Sequence, residues 1–286
     1  MISTAPAAYC RLRGRMLPYR APMSDVLHTG HGPRSRLTRR GKLLLAVGLC
    51  AVLALLAVLL TRLLGGPGHP PLTIPEGRRA TQVYAAVDKA LAVAPGTTEK
   101  AAKTARLKLP EAAKGNPEGF LYPATYPVDD DTTPASLLSF MTNTAAEKQA
   151  ADGIRAYETV IIASVVQAEA DRAADMGKVA RVIENRIDRG MPLQMDSTIN
   201  YALGRSSLNT SHADTRLNSP YNTYRHKGLP PTPIDNPGQD ALRAAARPPA
   251  GDWLYFVTVA PGDTRFTADY AQHRANVREF NERQKR

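Results

Sequence analysis

The stretch Val160-Ile-Ile-Ala-Ser-Val-Val-Gln-Ala-Glu169 is a nearly unbroken apolar run that ends in one carboxylate. Helical spacing puts Val165 and Val166 four and three positions before Glu169, with Ile161 and Ile162 one turn further back. All then share one face. That face packs inward, and a carboxyl group carried with it loses hydration. Its pKa rises, it holds a proton near neutral pH, and it can serve as a general acid. The plainer alternative is a core helix whose last residue faces water.

A second polar set lies in Leu193-Gln-Met-Asp-Ser-Thr-Ile199. Read as extended chain, Gln194, Asp196 and Thr198 share one face. Such a face is either a site wall or the solvated side of a strand. Metal chemistry finds no support: His212, His226 and His273 are far apart and show no H-x-x-x-H spacing, so no metal is expected, and no cofactor. The two cysteines, Cys10 and Cys50, fall in the first 50 residues and leave no thiolate site or disulfide framework beyond them.

Several elements must position these residues. Thr73 to Leu91 reads as a short strand, a turn at Pro75 to Gly77, and a helix with Val83, Val87 and Leu91 on one stripe. It is too small to bury a core alone. Residues 97–118 read as a second short helix and a loop. Pro134 suits the first turn of a helix reaching about Ala150, with Leu137, Leu138 and Met141 inward. Gly153 separates it from the helix bearing Glu169. A break over Asp171 to Asp175 precedes an amphipathic helix with Val179, Val182, Ile183 and Ile187 on its apolar stripe, stopped by Gly190 and Pro192. Residues 205–237 hold many turn formers and several prolines, which makes a long but stiff loop. Asn236-Pro237 opens a helix that Pro248 ends. Trp253 to Val259 reads as a buried strand, and a turn at Pro261-Gly-Asp263 leads to Phe266 and a polar C-terminal helix.

The chain of 286 residues carries a net charge of +11, and the charge is unevenly placed. Residues 1–42 hold nine Lys and Arg against the single acid Asp25, whereas the remainder is nearly balanced. The basicity belongs to a tail, so a nucleic-acid partner for the folded part loses its support. Leu43 to Leu60 then gives eighteen residues without charge or proline, enough for a transmembrane candidate. The positive flank predicts a cytoplasmic N-terminus and an exported remainder. A cleaved signal peptide fits less well, since the run exceeds a usual signal core and no Ala-x-Ala site follows. The expected organisation is a basic tail over 1–42, a transmembrane helix over 43–62 and a Gly/Pro linker over 63–71. The tail would also contact anionic membrane lipid.

Five segments in order resemble the MltG (YceG-like) endolytic murein transglycosylases. They are Ile74-Pro-Glu-Gly77, Glu118-Gly-Phe-Leu-Tyr-Pro-Ala-Thr-Tyr126, Ile162-Ala-Ser-Val-Val-Gln-Ala-Glu169, Asn185-Arg-Ile-Asp-Arg-Gly-Met-Pro-Leu-Gln-Met-Asp-Ser-Thr198, and Ser219-Pro-Tyr-Asn-Thr-Tyr224 with Gly228-Leu-Pro-Pro-Thr-Pro-Ile234. A weaker sixth joins Tyr255-Phe-Val257 to Phe266 and His273. The resemblance implies an α+β fold with a membrane anchor. It places a small LysM-like subdomain with its connecting segment at 72–128 and a YceG-like catalytic domain at 129–286. It implies cleavage inside nascent peptidoglycan strands, with those strands, peptidoglycan polymerases and membrane lipid as partners. The catalytic role falls on Glu169. Gln194, Asp196 and Thr198 would orient substrate, Asn222 and Tyr224 would line the cleft, and Tyr221 and Tyr224 would either stack on sugars or pack the loop.

Two departures stand out. The family's acidic motif usually reads Ile-Val-Glu-Lys-Glu, and Gln167 here replaces its first Glu. The LysM-like part is also short between Val93 and the segment Leu107 to Pro110. One dominant carboxyl group suits a lytic transglycosylase, in which the sugar's own C6 hydroxyl attacks and no water need be positioned. Two other classes stay open: a hydrolase with Asp196 as second carboxylate, and a wall-binding scaffold without catalysis.

Overall fold

The computed structural model describes residues 48–57, 69–205 and 211–284. Contacts divide the chain into two units, residues 1–66 and 67–286. In the first, residues 48–57 form helix α1, whose Leu49 and Leu55 stay 62% and 74% exposed. Among the described residues no helix is long and apolar enough to cross a membrane. The ends of the expected 43–62 span, and the basic tail, lie outside those residues.

The second unit contains two apolar cores. The first is built from strand β1 (Leu72–Thr73), helices α2 (Ala80–Ala90) and α3 (Thr97–Thr104), and strand β2 (Thr125–Tyr126). The strands pair antiparallel, Leu72 opposite Tyr126. Val83 and Val87 on α2 are fully buried, as their four-residue spacing requires. Leu91 ends its stripe outside the helix, where it is half-buried. Helix α4 (Pro134–Ala151) adds Leu137, Leu138 and Met141 to this same core. Its start is fixed by Pro134 in the first turn and by a reciprocal Thr133–Ser136 capping box.

The second core surrounds α5 (Tyr157–Glu169), against which α6 (Ala173–Asp188), α7 (Asp196–Ala202) and α8 (Gln239–Ala246) pack. Val160 through Val166 are all buried, so α5 is covered on every side rather than on one stripe. Its run of Val and Ile favours strand when exposed, and tertiary burial overrides that preference here. Ser164 is accommodated by two hydrogen bonds. It donates to the Ile161 carbonyl at 2.8 Å and accepts from the Ile234 amide at 3.0 Å. The chain ends in a hairpin, β3 (Tyr255–Ala260) with β4 (Asp263–Thr267), covered by α9 (Tyr270–Gln284).

Three expectations are corrected. The break after Glu169 is shorter than expected, since α6 already begins at Ala173. The strand at the hairpin is only half-buried apart from Val259, because the stretch Phe256 to Ala260 faces a cleft instead of a second sheet. The segment after Pro192 is not a strand. Gln194 takes a left-handed φ of +53°, and Asp196 starts helix α7, so the alternation of Gln194, Asp196 and Thr198 is lost.

Asn236 clasps the two cores together. Its Oδ1 accepts from the amides of Gly119 at 3.0 Å and Leu121 at 2.8 Å, and its Nδ2 donates to the Arg78 carbonyl at 2.7 Å. Gly119 has φ +89°, and a Cβ there would stand 2.6 Å from Pro233, so only glycine lets the chain reach this clasp.

Candidate active site

The last turn of α5 opens onto a cleft of about 1590 Å³. Glu169, Gln194, Asp196 and Tyr224, all expected in the site, line it together. Ser197, Gln167 and Asp235 join them from α7, α5 and the loop before α8.

Glu169 sits at the junction of core and cleft. Burial raises its pKa, the nearby Asp196 charge adds to the rise, and two bonds from Ser197 oppose it. Its side chain keeps some exposure to the cleft, so water reaches one side and desolvation is partial. Both Ser197 bonds fall on one oxygen. Ser197 Oγ donates to Glu169 Oε1 at 2.7 Å and the Ser197 amide donates to it at 3.2 Å. That amide belongs to the first turn of α7, whose N–H groups have no partner within the helix. Glu169 Oε2 has no hydrogen-bond partner among the described residues and is the oxygen available for proton transfer.

Asp196, beside it, accepts from the Tyr224 hydroxyl at 2.5 Å. The turn that leads into Asp196 is held by Thr223, whose carbonyl accepts from the Gln194 amide at 3.1 Å and whose hydroxyl accepts from the Met195 amide at 3.0 Å. Buried Arg186 on α6 donates to the Leu193 carbonyl at 2.7 Å and to the Leu254 carbonyl at 2.7 Å, tying this turn and the hairpin to α6. Gln167 does not reach into the chemistry. Its Oε1 accepts from the Gly238 amide at 2.9 Å and steadies the approach to α8.

Three residues expected in the site lie outside the cleft lining. Thr198 is fully buried and donates to the Met195 carbonyl at 2.7 Å. It was expected on a strand face, and the helix turns it inward. Asn222 is fully buried and shapes its own loop, donating to the Leu217 carbonyl at 2.7 Å and accepting from the Tyr224 amide at 3.0 Å. Tyr221 packs its ring 4.9 Å from that of Tyr201, and its hydroxyl pairs with Thr232 at 2.8 Å.

Besides Asp88, whose carboxylate accepts from the Gly96 and Thr98 amides, two buried carboxyl groups were not singled out by sequence. Glu118 Oε1 accepts from the Ala80 amide at 2.8 Å, and Oε2 accepts from the Tyr201 hydroxyl at 3.1 Å. Burial pushes its pKa up to about 7. Asp235 is also buried, and desolvation followed by the Glu118 charge raises its pKa well above the usual range. Its Oδ1 is sealed away without a hydrogen-bond partner. Burial thus favours the protonated form of Asp235 on the cleft wall. Its proline-flanked position gave no periodic signal. Among the described residues no three His, Cys, Asp or Glu side chains gather as metal ligands.

A carboxyl anchored by one oxygen and open at the other on a cleft wall is an arrangement for protonating a leaving group. The chain also resembles known proteins. An endolytic murein transglycosylase of Bacillus subtilis is 32% identical over 225 residues, covering 71% of this chain and 62% of its own length. One from Streptococcus pneumoniae is 36% identical over 176 residues, covering 57% of this chain and 32% of its own. The chain therefore spans less than two thirds of either relative. A YceG-like protein of Listeria monocytogenes superposes with a TM-score of 0.62 at 27% identity, covering 72% of this chain and 75% of that one. The family model described as YceG-like matches residues 53–279, and the chain belongs to the YceG-like family.

Proposed function

We propose that this chain is a membrane-anchored endolytic lytic transglycosylase of peptidoglycan. It cleaves the β-1,4 bond between N-acetylmuramic acid and N-acetylglucosamine within nascent strands, leaves 1,6-anhydro ends and so terminates strand elongation. The observation that carries the reading is Glu169, its pKa raised by burial, Oε1 held by Ser197 and Oε2 open to the cleft. Glu169 gives its proton to the glycosidic oxygen as the bond from C1 breaks. The muramyl C6 hydroxyl then bonds to C1, and the same carboxylate takes the C6 proton. The carboxyl returns to its starting state without a second acid or a positioned water. Asp235 is a poorer donor, since one of its oxygens is sealed in the wall.

Asp196 favours one alternative. It lines the same cleft, and as a second carboxylate it would activate water and make the protein a hydrolase. The Tyr224 bond instead suits it to orienting substrate. Mass spectrometry of digested glycan separates the readings: anhydro ends support the transglycosylase, reducing ends the hydrolase, and uncut strands a scaffold. The small core around α2 and α3 supports reading residues 72–128 as the LysM-like part, and the exposed apolar surface of α1 supports a lipid-facing span.

A further inference from the structure

A second cavity, of about 410 Å³, adjoins the cleft. Arg186, Gln194 and His273 line both, so a ligand in one is in reach of the other. The cavity's remaining walls include Arg274 and Arg278 on α9 and the rings of Tyr255 and Tyr270. No acid lines it.

Arginine at a surface is usually solvated and needs no ligand. Arg186 is different. It is 7% exposed, and its bonds go to carbonyls of Leu254, Pro192 and Leu193 through Nε and Nη1. Nη2 has no hydrogen-bond partner among the described residues. Its guanidinium lies 5.3 Å over the Tyr255 ring, and it has no carboxylate in ion-pair range there. A buried cation without a counter-ion is costly unless an anion joins it. Arg274 and Arg278, four residues apart, present two more charges from one helix face, again without a carboxylate partner among the described residues. The Tyr255 and His273 rings stack at 5.0 Å, with His273 Nδ1 buried and unpartnered, and Tyr270 stays 58% exposed beside them.

The geometry points to this cavity as an anion subsite that takes a carboxylate of the peptide stem borne by a muramyl residue of the glycan. The proposal rests on the peptidoglycan reading above and names what that cleft recognises beside the sugar backbone. Planar guanidinium groups match a carboxylate in paired hydrogen bonds, and the rings offer an apolar face to the stem. The shared wall places the anion next to a sugar lying in the cleft.

The test uses the full chain in detergent and two soluble probes, N-acetylmuramyl-L-alanyl-D-glutamate and its bis-carboxamide. A monosaccharide has no glycosidic bond to cut, so the binding result stands whichever way the cleavage assay falls. Titration calorimetry should show the carboxylate probe binding at least about tenfold more tightly than the amide, with the advantage falling at high salt. The double variant Arg274→Ala/Arg278→Ala, exposed and off the cleft's acid, should remove that difference while its circular dichroism stays unchanged. Equal affinities for the two probes, a difference that survives the double variant, or no binding of either would overturn the proposal. Tighter binding of inorganic pyrophosphate than of the carboxylate probe would also overturn it and assign the cavity to phosphate.

Discussion

Glu169 and Ser197 act as one unit, and two substitutions separate their parts. Glu169→Gln keeps Oε1 for both Ser197 donors and removes only the titratable proton. Cleavage should fall about 10²–10⁴-fold with the fold intact, because that is the size of a general acid's contribution. Unfolding midpoints should stay level or rise, since a buried carboxyl is costly to ionise. Glu184→Gln is the control: Glu184 pairs with Arg181 at 2.9 Å on a half-exposed face, away from the cleft, and should cleave almost normally. Ser197→Ala removes a bond that lowers the Glu169 pKa, so that pKa should rise further. The acid form then persists to higher pH, and the alkaline limb of the kcat/KM profile should move up while the rate drops roughly tenfold. An unmoved limb would mean that Ser197 only packs. The position of Glu169 was legible because it ends an apolar run that had to be buried, although the run is covered on every side rather than on the one face its spacing suggested. Ser197 was not, since a period of two put it opposite Asp196, and one left-handed residue, Gln194, changes the period to that of a helix. Arg186 carried a readable signal, three and four residues after Ile183 and Val182 on the buried stripe.

At the scale of elements, the stability of the second unit depends on a few polar side chains where its two cores meet. Asn236→Ala leaves the Gly119 and Leu121 amides buried without acceptors, and each costs about 1–3 kcal/mol. A loss of roughly 3 kcal/mol in chemical unfolding is expected, with weakened cleavage, because the loop before α8 also carries the cleft's Asp235. Glu118 adds a pH dependence to the same junction. Its folded pKa is raised from 4.5 to about 7 by burial, so the native state holds a proton that the unfolded chain has already lost. Its stabilising effect is complete below the unfolded value and is lost as pH rises toward about 7. Asp235 acts with the same sign. Glu118→Gln should flatten the decline of the unfolding midpoint across that window and leave the acidic side alone. A wild-type midpoint that rises with pH through the window, with no change in the variant, would remove Glu118 from this role. The helices α2, α4, α5, α6 and α8 were legible because their apolar residues recur with helical spacing or proline marks their ends. The junction was not, since Glu118, Tyr201 and Asn236 are distant in sequence and show no period.

The whole molecule is electrically lopsided, and that asymmetry bears on where the cleft works. Nine bases precede the apolar run of Leu43 to Leu60, and only Arg62 follows within the next fifteen residues. Charges near the ends of a span set its orientation, the richer side staying in the cytoplasm. The part of the run that is described, residues 48–57, is helical and leaves Leu49, Leu53 and Leu55 uncovered, which suits lipid better than water. The folded part beyond it carries nearly equal numbers of acids and bases, so it has no strong pull toward an anionic surface. On these terms we propose that residues 72–286 lie outside the cytoplasm, where glycan strands would reach the cleft. An alkaline phosphatase fused after Arg286 should be active and a fluorescent protein that folds only in the cytoplasm should be dark. Replacing the bases of the tail by glutamine should weaken this preference and yield mixed populations, because the hydrophobic run itself has no direction. A fusion active only in the cytoplasm would sink the topology, and with it the access of Glu169 to its proposed substrate, while leaving the chemistry of the cleft to be tested on purified glycan.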